Sequence, residues 1–163
     1  MQIGMKRSLA IGLASAALLA ACGTDETGAG QGTPAGESPT ASAATVQVAD
    51  SDLGSLLVDA DGMTLYLFEA DTDGTSTCYD ECADAWPALI ADVPTAGDGV
   101  DQSLLGTTER DDGDLQVTYA GHPVYHFASD QSAGDTRGQG VGDVWYVIDP
   151  AGTAIEAKVR SRY

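Results

Sequence analysis

The sequence predicts a single, mainly β domain made of two tandem β-hairpin-based repeats with pseudo-two-fold symmetry and one short helix, arranged as a small sandwich or barrel. Three observations predict this fold: an ungapped internal repeat, glycine-containing turns between short apolar runs, and alternating apolar positions along those runs. We expect residues 45–163 to form this domain, a length sufficient for one compact core.

The repeat has a period of 59 residues, and residues 56–89 align without a gap on residues 115–148. An ungapped repeat that keeps both tryptophans indicates one structural unit built twice, at about residues 53–91 and 112–157. The identical pairs are Leu56 and Leu115, Val58 and Val117, Gly62 and Gly121, Tyr66 and Tyr125, Phe68 and Phe127, Asp71 and Asp130, Thr77 and Thr136, Asp84 and Asp143, and Trp86 and Trp145.

Each repeat begins with a hairpin pattern. Asp61-Gly62 separates two apolar, β-prone runs in the first repeat, and Ala120-Gly121 does so in the second. Glycine favours such turns because it accepts the positive φ that tight hairpins require. Residues 147–155 repeat the pattern in part and predict a closing hairpin.

The aromatic strands are predicted to be covered on both sides. Strand parity places Tyr66 and Phe68 on one face and Leu65 and Leu67 on the other. Both faces are largely apolar, as is typical of central strands. The second repeat places Tyr125 and Phe127 opposite Val124 and His126.

The residues that follow these strands have structural roles to fill. Asp71 and Asp130 each come three residues after the aromatic strand, where a carboxylate that accepts backbone N–H groups caps a turn or helix. Trp86 and Trp145 are predicted to close the core of each unit, with a solvent-facing aromatic platform as the alternative.

One helix is expected, at 78–86, because Pro87 ends it. The equivalent region 137–142 is rich in glycine and predicts a loop, and residues 92–114 join the two units.

The N-terminus has the pattern of an export signal. Lys6 and Arg7 precede a short apolar segment at residues 8–19, too short to span a bilayer. Leu19-Ala20-Ala21-Cys22 resembles a bacterial lipobox, which predicts cleavage after residue 21 and lipid attachment to Cys22. An ordinary secretory signal is the alternative. Residues 22–44 are rich in Gly, Thr, Ala, Ser and Pro and predict a flexible tether.

The charge excludes one class of partner. Removal of the signal takes away Lys6 and Arg7 and moves the formal net charge from −18 to −20. Such an acidic chain is not suited to nucleic acid, whose phosphates require a basic surface. The charge is typical of a soluble envelope-exposed surface, and cation or basic-partner binding is the functional alternative.

Two cysteines remain in the mature part, Cys78 and Cys82. Their spacing brings the two Cα atoms about 6 Å apart on one helical turn, within reach of a disulfide. Outside the cytoplasm such a pair oxidises. A redox-active or metal-binding pair is the alternative, but the second repeat has Arg137 and Val141 at the aligned positions.

These residues resemble a known family, the bacterial "secreted repeat" lipoproteins with a Tyr-x-aromatic-x-x-Asp motif. Here the motif is Tyr66-Leu67-Phe68-Glu69-Ala70-Asp71 and again Tyr125-His126-Phe127-Ala128-Ser129-Asp130, and the Cys pair and Trp86-Pro87 follow the first copy in order. The resemblance covers nearly all of residues 53–152. It implies an exported lipoprotein of tandem β units, and because the family's function is not established, it implies no catalytic residues.

Two metal sites are weighed as alternatives. Glu69, Asp71, Asp73 and Asp80 resemble the oxygen-ligand spacing of a calcium loop, but the second repeat has no copy of it. His122 and His126, with Met63 at the repeat-equivalent of His122, are the candidates for copper or haem. Residues four apart on one strand lie about 13 Å apart at their Cα atoms, which is too far for joint ligation.

The sequence therefore predicts an exported, membrane-anchored lipoprotein that acts as a non-catalytic binding or structural module of the cell envelope, without a cofactor. The expected partners are the membrane, through the lipid, and an envelope protein or small ligand. The alternative is an extracytoplasmic electron-transfer or metal-handling protein. An enzyme is less favoured, because the residues without a repeat counterpart are few: Cys78, Cys82, Arg110, His122 and His126.

Overall fold

The computed structural model describes residues 42–156, and the regular elements named below belong to this part of the chain. The strands and the α-helix, in chain order, are β1 (Ala43–Ser51), β2 (Gly54–Asp59), β3 (Tyr66–Phe68), α1 (Glu81–Ala85), β4 (Val93–Ala96), β5 (Leu105–Glu109), β6 (Leu115–Tyr119), β7 (His122–Tyr125) and β8 (Trp145–Val147). Short 3₁₀ helices lie at Gln102–Leu104 and Val141–Asp143. The predicted signal segment, Cys22 and most of the tether lie outside the described residues, as does the chain from residue 157.

The strands form two sheets. β1 pairs antiparallel with β2 and parallel with β4, which gives a three-stranded sheet in the order β2-β1-β4. The second sheet has five strands in the order β5-β6-β7-β3-β8. The predicted mainly β fold with one short helix is confirmed. The segment that joins the repeats is more than a connection, because it contributes β4 to one sheet and β5 to the other.

The pseudo-two-fold axis passes between the two aromatic strands. β3 and β7 pair antiparallel, and Tyr66 lies directly opposite Tyr125. These two residues are 59 apart, so the repeat operation exchanges them. The pairing of Tyr66 with Val147 in β8 is matched by a bridge between Tyr125 and Ala88, again with both partners shifted by 59. The sequence repeat is therefore a structural two-fold.

The repeats differ by one residue in one strand. Leu57 in β2 and Val117 in β6 make equivalent backbone hydrogen bonds, to the carbonyl oxygens of Ile148 and Leu89. The acceptors are 59 residues apart but the donors are 60 apart. The cause is the following turn, which is one residue shorter in the second repeat. The ungapped alignment is thus one residue out of register with the structure here, at the pairs Leu56 and Leu115, and Val58 and Val117.

The core has two parts, one on each face of the aromatic strands. The cluster on one face lies between the two sheets, and its larger members are Val46, Leu57, Leu65, Leu67, Val117, Tyr119, Val124 and Ile148. The cluster on the other face contains Leu56, Val58, Tyr66, Cys78, Trp86, Tyr125, Trp145 and Val147. Tyr66 and Leu67 thus point to opposite apolar environments, which confirms that both faces of β3 are covered.

The hairpin turns follow the predicted pattern. Asp59 receives backbone N–H bonds from Asp61 and Met63 on its carboxylate, and Gly62 has a φ of 81°. The closing hairpin at 147–155 is present, with Ile148 bridged to Ala154. The helix is shorter than the predicted 78–86, since the residues before Glu81 form the disulfide-closed turn instead.

Candidate functional site

The motif tyrosines and aspartates bond across the two-fold axis. Tyr66 donates from its hydroxyl to the Asp130 Oδ2 atom at 2.6 Å. Tyr125 donates to the Asp71 Oδ2 atom at 2.5 Å. Each tyrosine therefore bonds to the aspartate of the other repeat. β3 and β7 make this possible because they bring the two tyrosines opposite each other at the centre of the sheet.

The second oxygen of each carboxylate binds its own loop. Asp71 Oδ1 accepts from the backbone N–H of Thr77 at 2.8 Å and from its hydroxyl at 2.6 Å. Asp130 Oδ1 accepts from the backbone N–H of Arg137 at 2.9 Å. Both aspartates are only 7% exposed. Each one holds a loop in place, as the sequence suggests, and also fastens that loop to the other repeat, which the sequence does not show.

Burial controls the protonation of these pairs. Burial raises the pKa of Tyr66 well above its ordinary value, and the Asp130 carboxylate raises it further. The same two causes, burial first and then the Asp71 carboxylate, raise the pKa of Tyr125. Burial also raises the pKa of Asp130. Both phenols consequently keep their protons throughout the neutral range and act as hydrogen-bond donors.

The two tyrosine oxygens differ in their other neighbours. Tyr66 accepts from the backbone N–H of Gly138 at 3.3 Å. At the other oxygen, the Ser76 hydroxyl lies 2.8 Å from that of Tyr125. Ser76 itself accepts from Arg110 Nη1 at 2.7 Å, so it is free to donate to the tyrosine.

Arg110 is the buried cation of this asymmetric side, with 6% of its surface exposed. Its guanidinium donates to Gln116 Oε1 at 2.8 Å and to the carbonyl oxygen of Cys78 at 3.1 Å, and it lies over the Tyr79 ring. The exposed Asp112 carboxylate contacts Arg110 Nε at 3.2 Å. The network ties the disulfide turn to β6 and, through Ser76, to the tyrosine–aspartate pair.

Four aromatic rings form a column beside these pairs. Trp86 and Trp145 stack with ring centroids 3.9 Å apart and an interplanar angle of 1°. Phe127 stacks on Trp86 at 4.3 Å, and Phe68 stacks on Trp145 at 4.2 Å. The sequence predicts a separate core for each unit, but the structure joins both tryptophans in one shared core. Because the tryptophans are 5% and 4% exposed, they do not form a solvent-facing platform.

The disulfide between Cys78 and Cys82 is present, with the Cα atoms 5.2 Å apart, and it confirms the prediction. Cys78 is fully buried in the cluster that contains Trp86. In the second repeat Gly138 takes the place of Cys78. A Cβ atom there would lie 2.7 Å from the Trp86 ring, so only glycine fits without displacement.

A surface cleft of about 490 Å³ lies at the hairpin end of the second repeat. Its polar lining includes Glu69, Asp71 and His122, and its apolar lining includes Leu67 and Ala154. The repeat-equivalents of Glu69 and His122 are Ala128 and Met63, so the cleft combines groups that occur on one side only.

The two histidines are used separately. His126 Nε2 lies 3.0 Å from the Asp59 Oδ2 atom, whereas His122 lines the cleft. Burial lowers the pKa of His126, and the nearby Asp59 carboxylate opposes that shift only in part.

The metal candidates are not assembled into a site. Within residues 42–156, no group of three or more His, Cys, Asp or Glu side chains is placed to hold a metal ion. Of the calcium candidates, Asp71 bonds to Tyr125 and to Thr77, while Glu69 lies on the cleft. Asp73 has a positive φ of 55° at an exposed turn, and Asp80 precedes α1.

The sequence does not reveal the network around Arg110. Ser76 and Gln116 are 34 and 6 residues from Arg110 along the chain, and no spacing rule links them. One signal was available: a lone arginine in a very acidic chain, without a repeat counterpart, suggests a special environment.

The fold and the site define a two-repeat β protein whose motif residues bond across its internal two-fold. Residues 47–90, and again residues 106–149, match the family described as a secreted repeat of unknown function. The chain belongs to this family. The two matched segments are also 59 residues apart, and each begins within the strand that precedes the predicted repeat, in β1 and in β5.

No curated protein and no solved structure has a significant match to the chain. The family's description as secreted supports an extracytoplasmic protein. In the described part of the chain, no helix is long and apolar enough to cross a membrane.

Proposed function

We propose that this protein is an exported lipoprotein, anchored to the bacterial cell membrane by lipid on Cys22, and that it acts as a non-catalytic binding or structural module of the cell envelope. One observation carries the proposal. The defining motif residues bond to each other and to backbone groups in the protein interior, as scaffold residues do.

The use of the motif carboxylates supports a scaffold. Asp71 accepts three hydrogen bonds and Asp130 accepts two, and all of the donors belong to the protein itself. A carboxylate that acts on a substrate needs an oxygen directed to that substrate. Both aspartates instead join a loop of one repeat to the tyrosine of the other. The motif then recurs because each repeat needs its fastening.

The aspartate variants test the scaffold role. Asp71→Asn and Asp130→Asn should each lower the free energy of unfolding by about 1–3 kcal/mol, because a buried charge-assisted hydrogen bond is weakened. Urea denaturation followed by tryptophan fluorescence measures this loss. Glu109→Gln, an exposed side chain on β5, is the control and should be close to neutral. A reaction abolished by either Asn variant at unchanged stability would show that the aspartates serve chemistry.

The membrane anchor rests on the export signal and the lipobox-like Leu19-Ala20-Ala21-Cys22 segment. Cys22→Ala should move the protein from the membrane fraction to the soluble extracytoplasmic fraction. Cys82→Ser is a matched control, since it removes a cysteine outside the signal and should leave the fractionation unchanged. Membrane retention of the Cys22→Ala protein would contradict the anchor.

A binding role would use the cleft that contains His122. Its volume is within the range of small-molecule sites, and its acidic groups in a protein of such negative charge favour a cationic ligand. NMR titration with a small organic diamine should shift the cleft resonances, and Glu69→Gln should weaken the shifts. Shifts that stay the same in Glu69→Gln, or that spread over the whole acidic surface, would argue against the cleft as the binding site.

A further inference from the structure

The aromatic core has a property that a scaffold does not require. The two indole rings overlap face to face, and a phenyl ring lies against the outer face of each. The face of an aromatic ring carries negative partial charge and attracts a cation. A positive charge created by removal of one electron from Trp86 or Trp145 would therefore be shared by the indole pair and stabilised by the rings on both sides.

Each tryptophan also contacts a tyrosine that has a proton acceptor in place. Tyr66 meets Trp86 edge-on with ring centroids 5.4 Å apart, and Tyr125 meets Trp145 in the same way at 5.2 Å. A phenol that loses an electron becomes a strong acid and must release its proton. The Asp130 carboxylate, 2.6 Å from the Tyr66 oxygen, can take that proton along the existing hydrogen bond. No water has to enter the core.

We propose that this core accepts single oxidising equivalents from small one-electron oxidants, such as oxygen-centred radicals, and holds them as a neutral radical on Tyr66. In the first step the oxidant gains one electron and the tryptophan pair loses one. In the second step an electron passes from Tyr66 to the tryptophan pair, and the phenolic proton passes to Asp130 Oδ2. The products are intact tryptophans, a tyrosyl radical and a neutral carboxylic acid. A one-electron reductant reverses the sequence.

The asymmetry of the two pairs selects Tyr66 over Tyr125. Asp71 accepts two hydrogen bonds from Thr77 on its free oxygen, and these favour the charged carboxylate. The chain of donors from Arg110 through Ser76 also brings a positive charge towards the Tyr125 side, which disfavours arrival of a proton there. Asp130 accepts a single bond on its free oxygen, from Arg137, and has no buried cation beside it. Proton transfer is therefore easier in the Tyr66–Asp130 pair.

The proposal goes beyond the scaffold role and is tested on the full chain with photogenerated tris(bipyridine)ruthenium(III) as the one-electron oxidant. Freeze-quench EPR should show a tyrosyl radical in the wild-type protein. Tyr66→Phe should lose most of this signal, and Tyr125→Phe should keep most of it. Tyr146→Phe, a tyrosine with no aspartate bond among the contacts described, is the control and should leave the signal unchanged.

Asp130→Asn provides the second measurement, because it keeps a hydrogen-bond acceptor beside Tyr66 but removes the base. It should replace the tyrosyl signal with a shorter-lived tryptophan radical. Near-UV circular dichroism shows whether each variant keeps its packed core. A tyrosyl signal of unchanged size in both Tyr66→Phe and Asp130→Asn, or no radical in the wild-type core, would overturn the proposal.

Discussion

The two repeats agree at the axis and differ away from it. Close to the axis, each contributes one tyrosine, one tryptophan and one phenylalanine at matching positions, and each tyrosine bonds to the opposite aspartate. Away from the axis, the first repeat has a disulfide and a buried arginine where the second has glycines and backbone bonds. The shared parts therefore hold the repeats together, and the unshared parts stabilise each repeat by different means.

This difference shows how one motif tolerates different surroundings. The Tyr66 oxygen needs a donor, and the backbone N–H of Gly138 supplies it. The same need at Tyr125 is met by Ser76, which is held by Arg110. The tyrosine–aspartate bond is kept in both, because a buried hydroxyl or carboxylate without a partner is costly.

The tryptophan pair gives the largest expected effect. Trp86→Ala and Trp145→Ala should each lower the free energy of unfolding by about 3–5 kcal/mol, because each leaves a large cavity in a shared core. Since the two rings stack on each other, the loss in the double variant should be smaller than the two single losses added together. Urea denaturation followed by circular dichroism measures all three losses.

Matched phenylalanine variants sharpen this test. Trp86→Phe and Trp145→Phe keep a stacked ring and should cost less than the alanine variants. A loss below about 1 kcal/mol in either alanine variant, with the fold intact, would show that the ring is not part of the core.

The tyrosines test the comparison of the two sides directly. Tyr66→Phe and Tyr125→Phe should each cost about 1–3 kcal/mol, because each leaves a buried carboxylate oxygen without its donor. Tyr125→Phe should cost more, since it also removes the acceptor for the Ser76 hydroxyl, whereas the bond from Gly138 to Tyr66 is long. Thermal and urea denaturation of both variants measure the difference. A larger loss for Tyr66→Phe would contradict this account of the two sides.

Much of the fold could be predicted because local signals determine it. Glycine at a positive φ produces the hairpins, and the spacing of Cys78 and Cys82 puts their Cα atoms within disulfide reach. Strand parity also placed Tyr66 and Leu67 on opposite faces correctly. Each of these depends on residues close together in the chain.

The candidate site could not be predicted because it depends on strand order. Nothing in the sequence shows that β3 lies beside β7, and without that neighbour the bond from Tyr66 to Asp130 is not evident. The shift of β6 by one residue likewise follows from a turn that is one residue shorter. The alignment hides that shift, because a compensating residue restores the 59-residue period. Gln116 then occupies the place of Leu56 and can bond to Arg110.

The disulfide should contribute less than the aromatic core. Cys78→Ser with Cys82→Ser should lower the free energy of unfolding by about 2 kcal/mol at most, because a ring this short restrains the unfolded chain little. The variant should also weaken the bond between Arg110 and the Cys78 carbonyl oxygen. Urea denaturation with and without a reductant measures the loss, and the serine variant should no longer respond to the reductant. A loss as large as that of Trp86→Ala would show that the disulfide turn organises the core.

Alkaline pH gives the smallest and most symmetric effect. Folding raises the pKa of Tyr66 and Tyr125 above the ordinary value of 10.0, mainly through burial. Their contribution to stability is fully present below pH 10 and is lost as the pH rises towards the folded pKa, because the unfolded chain releases protons that the folded protein retains. The expected slope is about 1.4 kcal/mol per pH unit for each of the two tyrosines. Tyr66→Phe and Tyr125→Phe should each remove an equal part of this slope above pH 10, although their costs at neutral pH differ. Urea denaturation at a series of alkaline pH values measures the slope. A slope that changes in one variant alone would show that the two crossed bonds are not equivalent.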